Sequence, residues 1–461
     1  MSSGPTPVRL AAGSIDSLIS SMRTASAAPA VPTPPQRRKS SFAGLAAYKA
    51  MQQQKAAGDM LGIPSPYYRQ HDAMAGRLSR VGGKEVLNFT SYDYLGLNGH
   101  PDVQAAAVEA LTTFGSSVSG SRITSGERQV HAELERALAG IYEADDAVVF
   151  VSGHATAVST IATLLGPQDL LIHDAFIHNC ITVGGKLSGA VRRPFAHNDL
   201  EQLQRILAAE RHRFENVMIV TEGLFSMDGD GPDLAALVEL KDRYGCWLMV
   251  DDAHGLGVLG ATGRGIGEHA GVDPKRVDIW LGTLSKAMAS CGGYVAGSGP
   301  LIDLLKFAAP GLVYSVGMPA ASAAAATAAL QVMLREPERV QRLQRNGLRF
   351  VEAAQAEGLD CGLTWGHGIV PIIIGDALRT VILAEKLLER GINAFPVLPP
   401  GVPDHTARLR FFISAAHSDE DIASAAAMVA QELRVLELKS VSVSNFAGLL
   451  AARSGTSKTN D

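Results

Sequence analysis

The sequence is poor in cysteine and has no large excess of charge of either sign. Its 461 residues include four cysteines, which stand far apart and without the spacing of a metal site. A disulfide framework is therefore not expected, and we predict free thiols in a reducing, cytoplasmic compartment. The formal net charge of −5 excludes a chain-wide basic surface, so no nucleic-acid partner is expected.

Apolar runs long enough to cross a membrane are also missing. Residues 307–334 contain no charged side chain, and a spanning helix needs about 20 mainly apolar residues. However, Pro310 and Pro319 interrupt this stretch, and an alanine run follows them. The stretch predicts a loop followed by a buried, tightly packed helix, and no membrane span.

The remaining composition is that of a large globular protein. Apolar residues make up 46% of the chain and charged residues 19%, and the length predicts two or three domains. Changes in composition predict five segments: a flexible Ala/Pro-rich leader at 1–58, an N-terminal segment at 59–115, a large domain at 116–334, a smaller α+β domain at 335–439 and a flexible tail at 440–461.

Short apolar runs alternate with amphipathic stretches through the central part of the chain. Runs at 147–151, 217–221 and 247–251 have the length and composition of buried strands. Amphipathic stretches such as 199–212 and 233–244 separate them. This alternation predicts a mostly parallel sheet with helices on both faces, and functional residues in such sheets gather where the strands end.

A lysine follows the predicted strand 277–281, in the sequence Gly282-Thr-Leu-Ser-Lys-Ala287. Small neighbours and nearby backbone leave Lys286 poorly solvated, which lowers the pKa of its amine. A neutral lysine amine is the nucleophile that forms Schiff bases. Taken alone, the position is more typical of an ordinary surface charge.

A pair of acidic residues ends the run 247–251, in Val250-Asp-Asp-Ala-His-Gly255. A carboxylate that emerges from a sheet suits the pyridinium nitrogen of pyridoxal phosphate (PLP), which needs such a partner to withdraw electrons. Asp251 is the candidate, and His254 lies one turn further on. The alternatives are a helix cap or a metal site, although the surrounding sequence does not provide a convincing set of further metal ligands.

A small-residue turn follows the run 147–151, in Val151-Ser-Gly-His-Ala-Thr156. A turn of this kind that opens a helix presents free backbone N–H groups and the positive end of the helix dipole, which together favour a phosphate group. The alternative is an ordinary connection between a strand and a helix.

The order of these motifs resembles that of the α-oxoamine synthases, PLP-dependent enzymes that include 8-amino-7-oxononanoate synthase and serine palmitoyltransferase. The resemblance covers about residues 61–437. Besides the three motifs above it rests on Ser91-Tyr-Asp-Tyr-Leu-Gly96, Gly120-Ser-Arg-Ile-Thr-Ser-Gly126 with His131, Asp174-Ala-Phe-Ile-His-Asn179, Glu222-Gly-Leu-Phe-Ser-Met-Asp-Gly229 and Arg408-Leu-Arg-Phe-Phe-Ile-Ser-Ala-Ala-His417.

The resemblance implies the aspartate-aminotransferase-like fold (fold type I), with a mostly parallel large domain, a smaller α+β C-terminal domain and a homodimer whose sites lie at the interface. It implies a decarboxylative condensation of an amino acid with an acyl thioester, which gives an α-aminoketone. Another PLP reaction on the same fold, by an aldolase or an aminotransferase, is one alternative. A non-catalytic partner subunit is another, against which the intact Lys286, Asp251 and His254 argue.

The resemblance also implies a role for each matching residue, and no metal. Lys286 carries PLP as a Schiff base and removes the α-proton, while Asp251 pairs with the pyridine nitrogen. The other assigned residues are His178 stacked on the ring, His254 and Ser226 near the ring hydroxyl, Gly153, His154 and Thr283 at the phosphate, Ser315 towards the neighbouring subunit's phosphate, and Arg410 with Tyr92 at the substrate.

Some positions depart from the family's pattern. His154 stands where many members have an aromatic residue, and Tyr92 stands where glycine-using members have Asn, as it does in serine palmitoyltransferases. Residues 65–72 and 82–89 look most like oxoamine synthases attached to polyketide assembly lines. The acyl donor is therefore either an acyl carrier protein or coenzyme A, and the flexible leader fits a linker or docking element.

Overall fold

The computed structural model describes residues 41–439 and residue 441. The chain divides into two units, residues 1–63 and 64–461. Most of the predicted leader (1–40) and of the predicted tail (440 and 442–461) lies outside the described residues. In the first unit, Ala46–Leu61 form a helix where a flexible leader was predicted, because the Ala, Gln, Lys and Met residues that dominate this segment all favour helix.

Thirteen strands form three sheets within the described residues. Their bounds are β1 Leu78–Val81, β2 Lys84–Asn88, β3 Asp146–Phe150, β4 Leu170–Asp174, β5 Val191–Phe195, β6 Val217–Glu222, β7 Trp247–Asp251, β8 Ile279–Thr283, β9 Gly293–Gly297, β10 Ile369–Gly375, β11 Ile392–Asn393, β12 Phe395–Val397 and β13 Ala407–Phe412.

The largest sheet has seven strands in the order β3-β9-β8-β7-β6-β4-β5. Its neighbouring strands are parallel except for the two pairs that β9 makes. The predicted mostly parallel sheet is thereby confirmed. Every residue of β4, β6 and β8 is buried, as expected for central strands that helices cover on both faces.

Helices connect the strands. Those that follow the first unit are Pro101–Phe114, Gln129–Ile141, Gly153–Leu164, Asn179–Ser188, Leu200–Glu210, Leu234–Tyr244, Ile266–Ala270, Gly299–Ala308, Pro310–Val313, Ala320–Arg335, Glu338–Ala356, Ala377–Glu389 and Asp419–Leu438. The second half of the uncharged stretch forms the buried helix Ala320–Arg335, as predicted, while Pro310–Val313 form a short helix where a loop was predicted. No helix of the described residues is both long and apolar enough to cross a membrane.

Side chains of the large sheet alternate between two hydrophobic cores. In β3, Val149 enters the larger core and Val148 the smaller one. Residues of four helices close the smaller core: Gly153–Leu164, Asn179–Ser188, Gly299–Ala308 and Pro310–Val313. The two faces of the sheet are thus both covered, which the alternation of strands and helices had predicted.

Two small sheets complete the second unit. The antiparallel sheet β10-β13-β12 buries all of β13 and contributes to the larger core. The other sheet, β1-β2-β11, joins an early segment to a late one through the parallel pair Leu87 and Ile392. The domain boundaries after residues 115 and 334 remain predictions.

Candidate active site

A cavity of about 390 Å³ opens where the parallel strands of the large sheet end. β3, β4, β6, β7 and β8 all finish at this edge, so the residues that follow them converge. A larger cavity of about 540 Å³ lies at the opposite edge and contains none of the predicted site residues.

The smaller cavity brings together most of the predicted site. Its lining includes Tyr92, Gly153, His154, His178, Ser226, Asp251, His254, Thr283, Lys286 and Arg410. Ser315 does not line it, and its predicted contact with a neighbouring subunit remains a prediction. The sequence argument gave no role to four other lining residues, Cys180, Glu222, Ser285 and Cys291.

Lys286 lies three residues beyond the end of β8. Burial lowers the pKa of its amine to about 8, against the opposing charges of Asp251 and Glu222. About a tenth of the amine is therefore uncharged at pH 7, far more than in an ordinary lysine, and an uncharged amine is the nucleophilic form.

Asp251 is the last residue of β7 and is 6% exposed. Burial raises the pKa of its carboxyl group, while Lys286 and the backbone N–H of Ala253, which donates to Oδ1 at 3.1 Å, oppose the shift. A buried carboxylate is costly to keep ionised, so a cationic group in the cavity would stabilise it.

Glu222 ends β6 directly beside Asp251 in the sheet register. Its Oε1 accepts a hydrogen bond from the backbone N–H of His178 at 2.7 Å. Burial, together with the charge of Asp251, raises the pKa of Glu222 well above its ordinary value. A carboxyl residue at the end of a predicted strand was a usable signal, but only the sheet order reveals that it neighbours Asp251.

His178 begins the helix Asn179–Ser188 as its N-cap, and its Nδ1 accepts from the backbone N–H of Cys180 at 3.3 Å. Burial lowers the pKa of the ring. The neutral tautomer with its proton on Nε2 fits these contacts, because Nδ1 acts as an acceptor.

His254 is held by residues that are distant from it in the sequence. Its Nδ1 lies 2.7 Å from the hydroxyl of Tyr94, and its ring is parallel to that of Phe412. Burial lowers the pKa of His254 well below its ordinary value, with Lys286 and Arg410 adding to the effect. Tyr94 lies in one of the motifs of the resemblance, but no local sequence signal could have found its contact with His254, 160 residues away in the chain.

The turn after β3 forms an open, donor-rich seat. Ser152 is the N-cap of the helix Gly153–Leu164 and accepts from the backbone N–H of Ala155. A Cβ atom on Gly153 would lie 2.8 Å from Thr283 Oγ1, so only glycine leaves this space free. A helix N-terminus beside a hydroxyl group is a suitable seat for a phosphate.

Arg410 reaches the cavity from β13. Its NH1 group donates to the carbonyl oxygen of Ser226 at 3.1 Å, and its guanidinium lies 4.5 Å from the ring centre of Phe412. Its Nε is buried and has no hydrogen-bond partner among the described residues. Because a guanidinium stays protonated even when buried, this unmatched N–H favours an anionic ligand.

These features fit PLP on chemical grounds. The cavity combines a lysine amine of lowered pKa, a carboxylate for the ring nitrogen, a neutral imidazole beside both and a helix N-terminus whose glycine leaves room for phosphate. Within the described part of the chain, no group of three or more His, Cys, Asp or Glu residues has a geometry that could hold a metal ion.

Comparison with known proteins agrees with this assignment of the cavity. The family described as aminotransferase class I and II matches residues 84–429. A putative 8-amino-7-oxononanoate synthase of Gloeobacter violaceus is 42% identical over 363 residues, 79% of this chain and 92% of that protein. An 8-amino-7-oxononanoate synthase of Beijerinckia indica is 39% identical over 352 residues, 76% of this chain and 89% of that protein.

Solved structures give the same result for the fold. The serine palmitoyltransferase of Sphingomonas wittichii superposes with a TM-score of 0.82 at 29% identity, over 87% of this chain and 100% of that chain. A serine palmitoyltransferase described with a PLP internal aldimine has the same TM-score at 27% identity, over 86% of this chain and 100% of that chain. The chain therefore belongs to the aminotransferase class I and II family, and within it to the PLP-dependent α-oxoamine synthases of fold type I.

Proposed function

We propose that the cavity at the end of the large sheet condenses an amino acid with an acyl thioester, releases the thiol and carbon dioxide, and gives an α-aminoketone. The observation that carries the proposal is the convergence of Lys286, Asp251 and His178 with the unmatched Arg410 Nε in one cavity. The relatives named 8-amino-7-oxononanoate synthase and serine palmitoyltransferase support it.

When bound, PLP supplies an electron-withdrawing ring that stabilises negative charge at the α-carbon of an amino acid. In this chain Lys286 would hold it covalently, and Asp251 would pair with its ring nitrogen. The contacts that would complete the cofactor site are His178 at the ring face, His254 and Ser226 at the ring hydroxyl, and Gly153, His154 and Thr283 at the phosphate.

Three side chains of the protein then act on the substrates. Arg410 binds the amino acid's carboxylate, for which its guanidinium has the right shape. Lys286 Nζ accepts the α-proton, and its pKa of about 8 suits a base that works near neutral pH. The Nε2–H of His178 can donate a hydrogen bond to the thioester's carbonyl oxygen as negative charge develops there.

Stoichiometric products test the reaction class. We expect one free thiol and one carbon dioxide for each amino acid consumed when thioester and amino acid are both present. An aldolase or an aminotransferase would release neither product in that ratio. A non-catalytic subunit would give no product and no covalently bound cofactor.

Replacing Arg410 by alanine is expected to weaken amino-acid binding and to leave cofactor binding nearly unchanged. Losing one charged partner of a buried carboxylate costs about 2–5 kcal/mol, which is about thirtyfold or more in the dissociation constant. Titration of the holoenzyme with amino acid, followed in the cofactor's absorption band, measures the change.

Two further variants sharpen the Arg410 test. R410K keeps the charge but loses the forked geometry, so its affinity should fall between those of the wild type and R410A. R349A removes an arginine that is 44% exposed and paired with Asp419, and it should behave as wild type. An unchanged amino-acid dissociation constant in R410A would contradict the assignment.

The acyl donor follows from the leader and from the resemblance to assembly-line enzymes. Residues 37–39 are basic, and a basic segment would steer an acidic acyl carrier protein towards the site, less strongly as salt rises. We therefore propose that a carrier protein, and not coenzyme A, delivers the acyl group. The part of the leader up to residue 40 lies outside the described residues.

The donor proposal predicts that acyl carrier protein gives a higher kcat/KM than the coenzyme A thioester of the same acyl chain. Deleting residues 1–58 should reduce this advantage while PLP and amino-acid binding stay intact. A better rate with the coenzyme A thioester would refute the carrier protein. A truncation without effect would refute only the docking role of the leader.

A homodimer is also part of the proposal. Phe307, Tyr314 and Val316 expose 75%, 86% and 50% of their surface, and such neighbouring apolar side chains favour a protein interface. Ser315 lies among them, as expected if it reaches the phosphate of a second subunit. Sedimentation equilibrium tests the dimer.

A cytoplasmic location is proposed as well. The free thiols of all four cysteines are consistent with it.

A further inference from the structure

His197 lies between two buried carboxylates and takes no part in the cavity described above. Its Nδ1 is 3.0 Å from Asp174 Oδ1, and its Nε2 is 2.9 Å from Asp230 Oδ2. Asp174 is 0% exposed and Asp230 is 5% exposed. Neutral imidazole has a single N–H, so only the imidazolium form can donate to both carboxylates at once.

Aromatic rings fix the plane of His197. Phe176 stacks on it at 4.4 Å between ring centres, and Phe225 meets it edge-on at 4.5 Å. The next residue adds to the cluster, since the backbone N–H of Asn198 donates to Asp174 at 2.8 Å and its side chain donates to Asp230 at 3.1 Å. Burial would lower the pKa of His197, but the two carboxylates outweigh it and raise the pKa to about 10.

The two carboxylates belong to the two loops that carry site residues. Asp174 ends β4, and His178 follows four residues later. Asp230 closes the turn that carries Ser226, because its carbonyl oxygen accepts from the backbone N–H of Phe225 at 2.8 Å. The other oxygen of Asp230, Oδ1, is buried without a hydrogen-bond partner among the described residues. Its charge therefore depends on His197 and Asn198.

We propose that His197 is a positioning residue that, as an imidazolium bridging Asp174 and Asp230, fixes the loop of His178 against the loop of Ser226 and so sets the geometry in which the cofactor ring is held. The inference rests on the proposed cofactor contacts of those two residues. It does not depend on which substrates are condensed. A single buried cation that joins two loops resists their separation, because parting them leaves an uncompensated buried charge.

The test compares H197Q and D230N with the wild-type holoenzyme. Glutamine has one donor nitrogen and no charge, so it cannot donate to both carboxylates from opposite sides, and asparagine removes the charge of Asp230 at nearly constant volume. We expect PLP affinity to fall about tenfold or more, as when supporting groups around a site are lost. The induced circular dichroism of bound PLP should weaken, because its ring is no longer held at one angle. The double variant should lose no more PLP affinity than the more strongly affected single variant, since the two residues share one contact.

H269Q is the matched control. His269 stacks on Trp365 at 5.2 Å, and burial is the only cause of its lowered pKa. It should keep wild-type PLP affinity and dichroism. Unchanged PLP affinity in H197Q and D230N, with native far-ultraviolet dichroism, would overturn the inference. If H197Q does not fold, the PLP affinity of D230N alone tests the inference. Thiol and carbon dioxide release by the wild type tests the proposed reaction separately: its failure would leave the PLP-binding result standing.

Discussion

Replacing Lys286 by alanine is expected to abolish turnover, with a loss of at least about 10⁴-fold, the upper range for removing a general base. The loss should be this large because Lys286 has two tasks, covalent attachment of the cofactor and removal of the α-proton. PLP should still enter the K286A cavity, since the proposed ring and phosphate contacts do not involve the lysine. Borohydride reduction followed by peptide mass mapping should place the pyridoxyl group on Lys286 in the wild type.

The pH dependence of attachment gives a second measure of the same residue. The pKa of Lys286 is lowered to about 8, so the amine is protonated below that pH and nucleophilic above it. The rate of covalent attachment should therefore rise with pH up to about 8 and then level off. Below that value the uncharged fraction falls about tenfold for each pH unit.

The control for Lys286 is K275A. Lys275 is 65% exposed at the opposite edge of the sheet, where it pairs with Glu143, and its loss should leave turnover and attachment unchanged. A pyridoxyl group mapped to any other lysine, or a K286A enzyme with measurable wild-type-like turnover, would show that the site is wrongly assigned.

Replacing Asp251 by asparagine is expected to preserve the fold and to slow turnover about 100-fold or more, as when one preorganised electrostatic contact is lost. The amide has nearly the same shape and still accepts from the backbone N–H of Ala253. It cannot carry the negative charge that would keep the cofactor's ring nitrogen protonated. Pre-steady-state measurement of α-proton exchange from the bound amino acid isolates the affected step.

D145N is the comparison for D251N. Asp145 is exposed and accepts from the backbone N–H of Gly299 at 3.2 Å, and an asparagine side chain can keep that bond. This variant should exchange the α-proton at the wild-type rate. If D251N exchanged it equally fast, Asp251 would not be the partner of the ring nitrogen.

The strand-end residues were predictable because the signal is local. Buried strands of a parallel sheet are short apolar runs, and β7 begins and ends at the residues that its run predicted. Lys286, Asp251 and Gly153 each follow or end such a run, whereas His178 was found through the family resemblance, and all parallel strands end at one edge. Their meeting in one cavity therefore follows from the strand pattern once the sheet is known to be parallel.

The N-terminal leader illustrates where composition misleads. Alanine and proline together predicted flexibility over residues 1–58, but the prolines stop at residue 35. The helix Ala46–Leu61 lies beyond them, in a segment whose residues favour helix. Averaging the composition over the whole leader concealed the change from a proline-rich segment to a helix-favouring one.

By itself, the sequence determined the alternation of strands and helices, the strand ends that carry chemistry and the family to which their order belongs. These depend on residues close together in the chain, where periodicity and motif spacing act. The tertiary structure alone decided the pairing of Glu222 with Asp251, the contact of Tyr94 with His254, and the bridge of His197 between two loops. Each of these joins residues 23 to 160 positions apart, and burial together with neighbouring charges gives them their pKa shifts. Neither strand order nor desolvation is encoded in any local run of residues.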